Sequence, residues 1–507
     1  MTSLPDWLQP LPDAGQQRDT DAWAIETLGI PGAQLMEHAG AGLAALVGAQ
    51  APTGRVVVVC GKGNNGGDGL VVARLLREQG RDVDVLLLAP GEELHGDAKA
   101  NFDRLPGPAP VPFDAGAVAG AAAIVDAILG TGFSGEPREP ARSAIDAIND
   151  ASGGPVVIAC DVPSGVDAST GEVSGPAVRA RVTGTFHAAK PGLWIAPGKD
   201  HAGTVTVIDI GIPPGAPVEP AIGLIEPRVL EEIPRRGRDS TKFAAGSVLV
   251  CGGSLGLTGA PCLASEAAMR AGAGYVTAFV PASLNLVFEQ RLLEVMTVPL
   301  PDDDGALLTA GADRVRERAE RSGALILGPG FGRAQESVAL ARDLAATVAI
   351  PLLLDADGLN AHAGRLERLA GREAATVLTP HAGELGRLLE TDSAEIGRAR
   401  LASVRRAAQA AQAVIVLKGD DTLVAEPGGR VAVSRGGAAA LATAGTGDVL
   451  SGVTGAFLAK GVDPFTAACA AVFVHARAGQ LAAETIGNEG VIASDVIDLL
   501  PRAHAEP

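Results

Sequence analysis

A chain of 507 residues exceeds what one hydrophobic core holds, so two large domains are expected. Hydrophobic residues make up 47% but aromatics only 3%, which leaves Ala, Val, Leu and Ile to fill the cores, as where helices pack closely on parallel strands. The 41 basic against 59 acidic side chains give a net charge of −18, which repels a phosphate backbone and an anionic membrane surface and argues against nucleic acid as a partner.

The first residues, Met1 to Pro10, show neither a basic start nor an apolar leader, and no run reaches the ~18 apolar residues of a membrane span. Cys60, Cys160, Cys251, Cys262 and Cys469 are scattered without a Cys-x-x-Cys pair, so neither a disulfide framework nor a zinc site is indicated. A reducing cytoplasm is the expectation. Arg55–Cys60, Val83–Leu88, Ala122–Asp126, Val156–Asp161 and Thr204–Ile210 read as strands alternating with helical stretches, the rhythm of a parallel sheet. A Pro/Gly-rich passage, Gly211 to Pro220, interrupts it and places a domain boundary near 220. The rhythm restarts with Ser247–Cys251, Tyr275–Val280, Ala324–Leu327, Leu352–Asp355, Thr376–Leu378 and Val414–Leu417. Without a repeat between the halves, two different doubly wound α/β domains, 1–220 and 221–507, are expected end to end.

In the first half, strand Arg55–Cys60 runs into Gly61-Lys-Gly-Asn-Asn-Gly-Gly-Asp-Gly69, with a helix expected from Leu70 to Gln79. Amide groups at a helix N-terminus stabilise phosphate, so a dinucleotide or phosphate site is implied; a bare tight turn needs fewer glycines and not Asn64, Asn65 and Asp68. Two further strand ends converge on the same sheet edge: Asp126, followed by Gly130-Thr131-Gly132, and Asp161-Val-Pro-Ser-Gly-Val-Asp167. Asn65, Asp126 and Ser164 can jointly present hard oxygen ligands to a monovalent or divalent cation. Asp161, an orientable carboxylate at a strand end, is the candidate for moving the proton.

These segments resemble the NAD(P)HX epimerase family over most of residues 10–215, including Phe186-His-Ala-Ala-Lys-Pro-Gly192. The resemblance implies a Rossmann-like fold and contacts to a hydrated nicotinamide cofactor from Asn64, Asn65, Gly66, Gly67 and Asp68, from Gly130, Thr131, Gly132, Phe133, Ser134, Gly135 and Glu136, and from Asp161. It also implies potassium on Asn65, Asp126 and Ser164.

In the second half, Ala442-Thr-Ala-Gly-Thr-Gly-Asp448 precedes a helix expected over Val449 to Lys460. Gly445, Thr446 and Gly447 then form an anion hole, and Asp448 in the first turn can take a proton from a substrate hydroxyl during phosphoryl transfer. Gly328-Pro-Gly-Phe-Gly332, Thr379-Pro-His-Ala-Gly-Glu384 and Lys418-Gly-Asp-Asp-Thr422 supply further corners at strand ends, although His381 alone reads first as a helix cap or surface residue.

Together with Gly252-Gly-Ser254, Thr258-Gly-Ala260 and Asp355-Ala-Asp-Gly-Leu-Asn360, residues 240–500 resemble the ADP-dependent NAD(P)HX dehydratases of the ribokinase-like superfamily. The resemblance implies catalysis by Asp448, hydrated-cofactor contacts from Ala260, Gly332, His381 and Asp448, and adenine nucleotide contacts from Lys418, Gly419, Asp420, Asp421, Thr422 and Gly447. ADP or ATP is then a co-substrate, with Mg2+ expected beside it and a homo-oligomer expected. Thr241-Lys242-Phe243 stands where the family has His-Lys-Gly, leaving Lys242 to contact phosphate. The rival readings are a ribokinase-like small-molecule kinase with an N-terminal nucleotide-binding domain and a non-catalytic dinucleotide sensor.

Overall fold

The computed structural model describes residues 3–505 apart from 152–153, 239–240 and 243–244, so Phe243 lies outside the described residues. The chain forms two compact units. One is Pro10–Ile222; the other joins the residues up to Gln9 with those from Gly223 onward.

The first unit is built on seven parallel strands in the spatial order Val111–Pro112, Val83–Leu87, Val56–Cys60, Ala123–Ala127, Val156–Cys160, Val182–Phe186, Thr204–Ile208. Val56–Cys60 is four valines and a cysteine, buried throughout, because helices cover both faces of a parallel sheet. From it the chain moves outward to Val83–Leu87 on one side and later restarts at Ala123–Ala127 on the other. The order reverses between Val56–Cys60 and Ala123–Ala127, so a crevice opens at their carboxyl ends. Val182–Phe186 is absent from the sequence reading because Thr-Gly-Thr breaks its apolar run; it is nonetheless fully buried, with the Thr183 hydroxyl donating to Ala202 O at 2.7 Å.

The second unit holds an eleven-stranded sheet. Its centre is parallel: Val414–Leu417, Thr376–Leu378, Leu352–Leu354, Ala324–Leu327, Ser247–Cys251, Tyr275–Pro281, Met296–Leu300. Again the order reverses, between Ser247–Cys251 and Ala324–Leu327. Antiparallel Leu423–Ala425 and Val431–Val433 extend one side, and Ile222–Ile225 and Leu8–Pro10 finish it. This differs from an end-to-end join of 1–220 and 221–507. Trp7 and Leu8 are apolar and buried, and they reach their core by pairing beside Ile222–Ile225, with Glu226 N donating to Trp7 O at 3.1 Å.

Both helices that follow glycine-rich motifs start earlier than the sequence suggests, at Asn64 rather than Leu70 and at Thr446 rather than Val449. Helix propensity disfavours glycine, but here the glycines let a helix begin against its own strand. A Cβ on Gly66 would lie 2.0 Å from Gly61 O, which no side chain tolerates. Among the described residues no helix is long and apolar enough to cross a membrane, and the five cysteines are free and buried.

Candidate functional sites

In the first unit the crevice is a cavity of about 1000 Å³. Helix Asn64–Glu78 contributes Asn65 and Asp68, the end of Val156–Cys160 gives Asp161, and Thr131 follows Ala123–Ala127. Lys190 comes from beyond Val182–Phe186, and Gln17 and Asp21 from helix Ala14–Glu26. Of the residues expected here, Asn64, Gly130, Gly132, Phe133 and Ser134 also line the cavity. Gly66 and Gly67 do not: they are buried in the first turns of the helix, where they permit its close approach to Gly61 and Met36. Gly135 is exposed, and Glu136 points to solvent and pairs with Arg142 at 2.7 Å.

Asp161 ends its strand in the left-handed region, φ 69°, a conformation non-glycine residues seldom adopt outside functional turns. That turn aims its carboxylate at five donors, the weakest being Phe186 N at 3.5 Å. Lys190 Nζ lies at 2.6 Å, Thr185 Oγ1 at 3.1 Å and Thr131 N at 3.2 Å, and the Thr131 hydroxyl also donates. Burial alone would raise the Asp161 pKa, but Lys190 and the threonine hydroxyls hold it below the usual carboxylate range. Lys190 is 1% exposed and donates as well to Thr185 Oγ1 at 2.8 Å and Phe186 O at 3.0 Å, so the pair is embedded in hydrogen bonds. Asp68 is the opposite case. Among the described residues no group donates a hydrogen bond to its carboxyl; burial first, then the charges of Asp161 and Asp21, push its pKa well above normal.

Beneath the cavity floor, Asp126 is fully buried and, among the described residues, accepts from neutral donors: Ser164 Oγ at 2.6 Å, Ser164 N at 2.8 Å and Ile128 N at 3.3 Å. Burial pushes its pKa up to about 6. The Asn65 amide nitrogen is buried without a partner, and its oxygen lies against Gly130. A buried carboxylate with neutral donors among the described residues, a hydroxyl and an amide oxygen form a donor set suited to a hard cation. Among the described residues no cluster of three His, Cys, Asp or Glu side chains is arranged for a metal.

In the second unit, helix Thr446–Ala459 begins at Gly445, φ 92°, with no side chain capping its first amides, which leaves them available to an anion. Asp448 stands in this first turn. Burial, then Asp355 and Glu384, raise its pKa to about 7 against the opposing pull of Lys418. Lys418 follows Val414–Leu417 and reaches Asp355 Oδ1 at 3.0 Å and Glu384 Oε2 at 3.7 Å. Burial works against its charge, but Asp355, Glu384 and Asp448 together hold the ammonium protonated. Asp355 is anchored in turn by the Ser451 hydroxyl at 2.7 Å. A Cβ on Gly447 would sit 3.5 Å from Lys418 Nζ, so this lysine and the helix N-terminus face one space.

His381 caps helix Ala382–Leu389, its Nδ1 accepting from Gly383 N at 3.0 Å while Glu384 accepts from His381 N at 2.9 Å. The cap places the ring proton on Nε2, which lies 3.5 Å from Glu384 on a half-exposed side chain. Within the expected nucleotide corner, Asp421 is turned inward, 4% exposed in its side chain and 2.8 Å from Arg400, so it holds the corner's shape. Thr422 Oγ1 donates to Gly419 O at 2.6 Å, Asp420 is exposed, and Lys242 lies over the Tyr275 ring at 5.3 Å. Ser254 Oγ donates to Gly330 O at 2.9 Å and Gly332 N to Asp357 Oδ2 at 3.0 Å, which fixes the loop bearing Gly332; Ala260 is in the first turn of helix Gly259–Arg270.

Sequence reasoning did not single out Lys190, Thr185, Asp21, Asp355, Glu384, Ser451 or Arg400 as site residues. For Lys190 a signal existed, since a lysine between Phe186-His-Ala-Ala and Pro-Gly sits in a stretch otherwise destined for the core. Asp21 lies on a distant helix with no motif around it.

A family model described as NAD(P)H-hydrate dehydratase matches residues 248–502, and one described as YjeF-related protein N-terminus matches 32–192. A bifunctional NAD(P)H-hydrate repair enzyme of Salinibacter ruber is 40% identical over 98% of this chain and 96% of its own. That of Moorella thermoacetica is 38% identical over 96% and 95%. A crystal structure of the ADP/ATP-dependent NAD(P)H-hydrate dehydratase from Bacillus subtilis, co-crystallised with ATP and Mg2+, is 31% identical, covering 54% of this chain and 94% of that one with a TM-score of 0.48.

Proposed function

Because this chain belongs to the bifunctional NAD(P)H-hydrate repair enzymes, we propose that the unit Pro10–Ile222 interconverts the R and S hydrates of NADH and NADPH, and that the other unit dehydrates the S form. Water added across C5–C6 of the nicotinamide leaves a hydroxyl on C6, and hydroxide is a poor leaving group. The second unit solves this by phosphoryl transfer from ADP or ATP delivered with Mg2+. Asp448 takes the C6 hydroxyl proton as the oxygen bonds the terminal phosphorus and the shortened nucleotide departs. The amides at Gly445 to Gly447 and Lys418 stabilise the charge on the transferring group. The C6–O bond then breaks with its electrons on phosphate, and loss of a C5 proton restores the double bond.

In the first unit the cavity takes the nicotinamide end of the hydrate, with Asp161 receiving a proton. Asn65, Asp126 and Ser164 would hold potassium, which would compensate the buried Asp126 charge. We infer a cytoplasmic homo-oligomer acting on small molecules, a reading that the five buried free thiols and the net charge of −18 support.

The observation that carries this reading is Asp448, poised near neutrality in the first turn of an uncapped helix. Replacing it, Asp448→Asn, abolishes nucleotide-dependent recovery of reduced-nicotinamide absorbance and leaves R/S interconversion intact. Full recovery in that variant, or a stable phosphorylated product from the wild type, refutes the assignment.

A further inference from the structure

The C6 hydroxyl of the hydrate sits on a carbon bonded directly to the ring nitrogen N1. It is therefore a hemiaminal, whose configuration inverts without breaking a C–H bond: N1 expels the hydroxyl as water, leaving a planar N1=C6 iminium, and water returns from the other face. Such a route requires one group that gives a proton to the departing oxygen and one that takes a proton from the arriving one.

The cavity of the first unit contains two carboxyls in opposite environments. Both oxygens of Asp161 are occupied, one by Lys190 Nζ at 2.6 Å and Thr185 Oγ1 at 3.1 Å, the other by Thr131 N at 3.2 Å and the Thr131 hydroxyl. This shell keeps Asp161 anionic at rest, the form that can accept a proton. Asp68 lines the same cavity from helix Asn64–Glu78, is 9% exposed, and has no donor among the described residues. Asp161 and Asp21 from helix Ala14–Glu26 act on it with negative charge, Cys60 is buried nearby, and the opposing cation Lys190 is already committed to Asp161. An undonated carboxyl between two anions in a buried wall is stable with its hydrogen on, consistent with the upward direction of its pKa.

We propose that Asp68 is the proton donor of the epimerisation and Asp161 its partner on the opposite face of the ring. Asp68 delivers its carboxyl hydrogen to the C6 hydroxyl as the C6–O bond breaks; the C–O electrons leave on oxygen as water, and the N1 lone pair becomes the N1=C6 bond. Water then adds to C6 from the other side, the N1=C6 electrons return to N1, and the water's proton goes to Asp161. Cavity water returns that proton to Asp68 between turnovers, and the anionic Asp161 lies beside the iminium while it exists. The proposal rests on the epimerase reading of this unit.

The test uses the full-length chain and purified R hydrate, with R/S interconversion followed chromatographically in water enriched in oxygen-18. The wild type incorporates one heavy oxygen at C6 per inversion. Asp68→Asn, which keeps the shape of the protonated carboxyl, still binds the hydrate and retains its thermal transition but inverts about a hundredfold or more slowly. Asp68→Glu recovers part of the rate. Inversion without oxygen-18 incorporation overturns the mechanism, and an Asp68→Asn variant within tenfold of wild type overturns the assignment of Asp68. A wild type that does not accelerate inversion refutes instead the epimerase reading itself.

Discussion

Replacing Lys190 by methionine removes an ammonium that is 1% exposed and leaves the Asp161 carboxylate in place behind it. Methionine fills a similar volume, so the loss is electrostatic. The 2.6 Å ion pair and the bonds to Thr185 Oγ1 and Phe186 O vanish together, and Asp161 keeps only its neutral donors. Breaking one side of a buried ion pair costs about 3–5 kcal/mol. In a unit of this size that lowers its melting temperature by about 6–20 °C. Because the folded Asp161 pKa lies below its unfolded value, its contribution to stability is present above the unfolded pKa and is lost as pH falls through the folded one. The difference between wild type and Lys190→Met therefore shrinks in acid. The double variant Asp161→Asn/Lys190→Met regains most of the loss at neutral pH, since no buried charge is left unpaired. Calorimetry of the three proteins at neutral and acid pH is the assay. A single-variant loss below about 1 kcal/mol, or a double variant no better than the single, would refute the reasoning.

In the second unit, kcat/KM for dehydration rises with pH through about 7, because Asp448 acts as a base only when ionised and burial raises its pKa to that value; a flat profile between pH 5 and 9, measured by absorbance recovery, removes Asp448 from that role. Exchanging potassium for a bulky organic cation slows R/S interconversion and leaves nucleotide-dependent dehydration of the S form unchanged, as stopped assays of each step report; equal loss in both steps contradicts a site at Asn65, Asp126 and Ser164. Gly66→Ala brings a methyl 2.0 Å from Gly61 O and destabilises the first unit by about 1–3 kcal/mol in chemical denaturation, whereas Gly63→Ala, which meets nothing within 4 Å, is tolerated.

The doubly wound sheets were readable because their central strands are unbroken apolar runs such as Val56–Cys60 and Val414–Leu417, each ending in a polar or glycine-rich corner. Strand Val182–Phe186 was not, because threonine and glycine disguise it, yet Thr185 and the lysine that follows complete the Asp161 site. Helix starts were misplaced at both motifs because glycine opposes helix formation locally while close packing demands it. Asp161 and Asp448 were visible as strand-end and helix-start acids. Their environments were not, since Lys190, Asp355 and Glu384 come from other segments and only folding brings them near. Asp421 illustrates the converse: it lies in the expected nucleotide corner, but its charge is spent on Arg400.

Strand Leu8–Pro10 belongs beside Ile222–Ile225, and Trp7 packs near Phe465 with ring centroids 6.1 Å apart. The gene thus encodes one catalyst as an insert between two neighbouring edge strands of the other, rather than as a concatenation. Severing it once near codon 220 would strip a strand and a buried tryptophan from the dehydratase half and attach both, as adhesive apolar surplus, to the epimerase half. Clean separation requires excising Pro10–Ile222 and bridging Gln9 to Gly223 with a short turn.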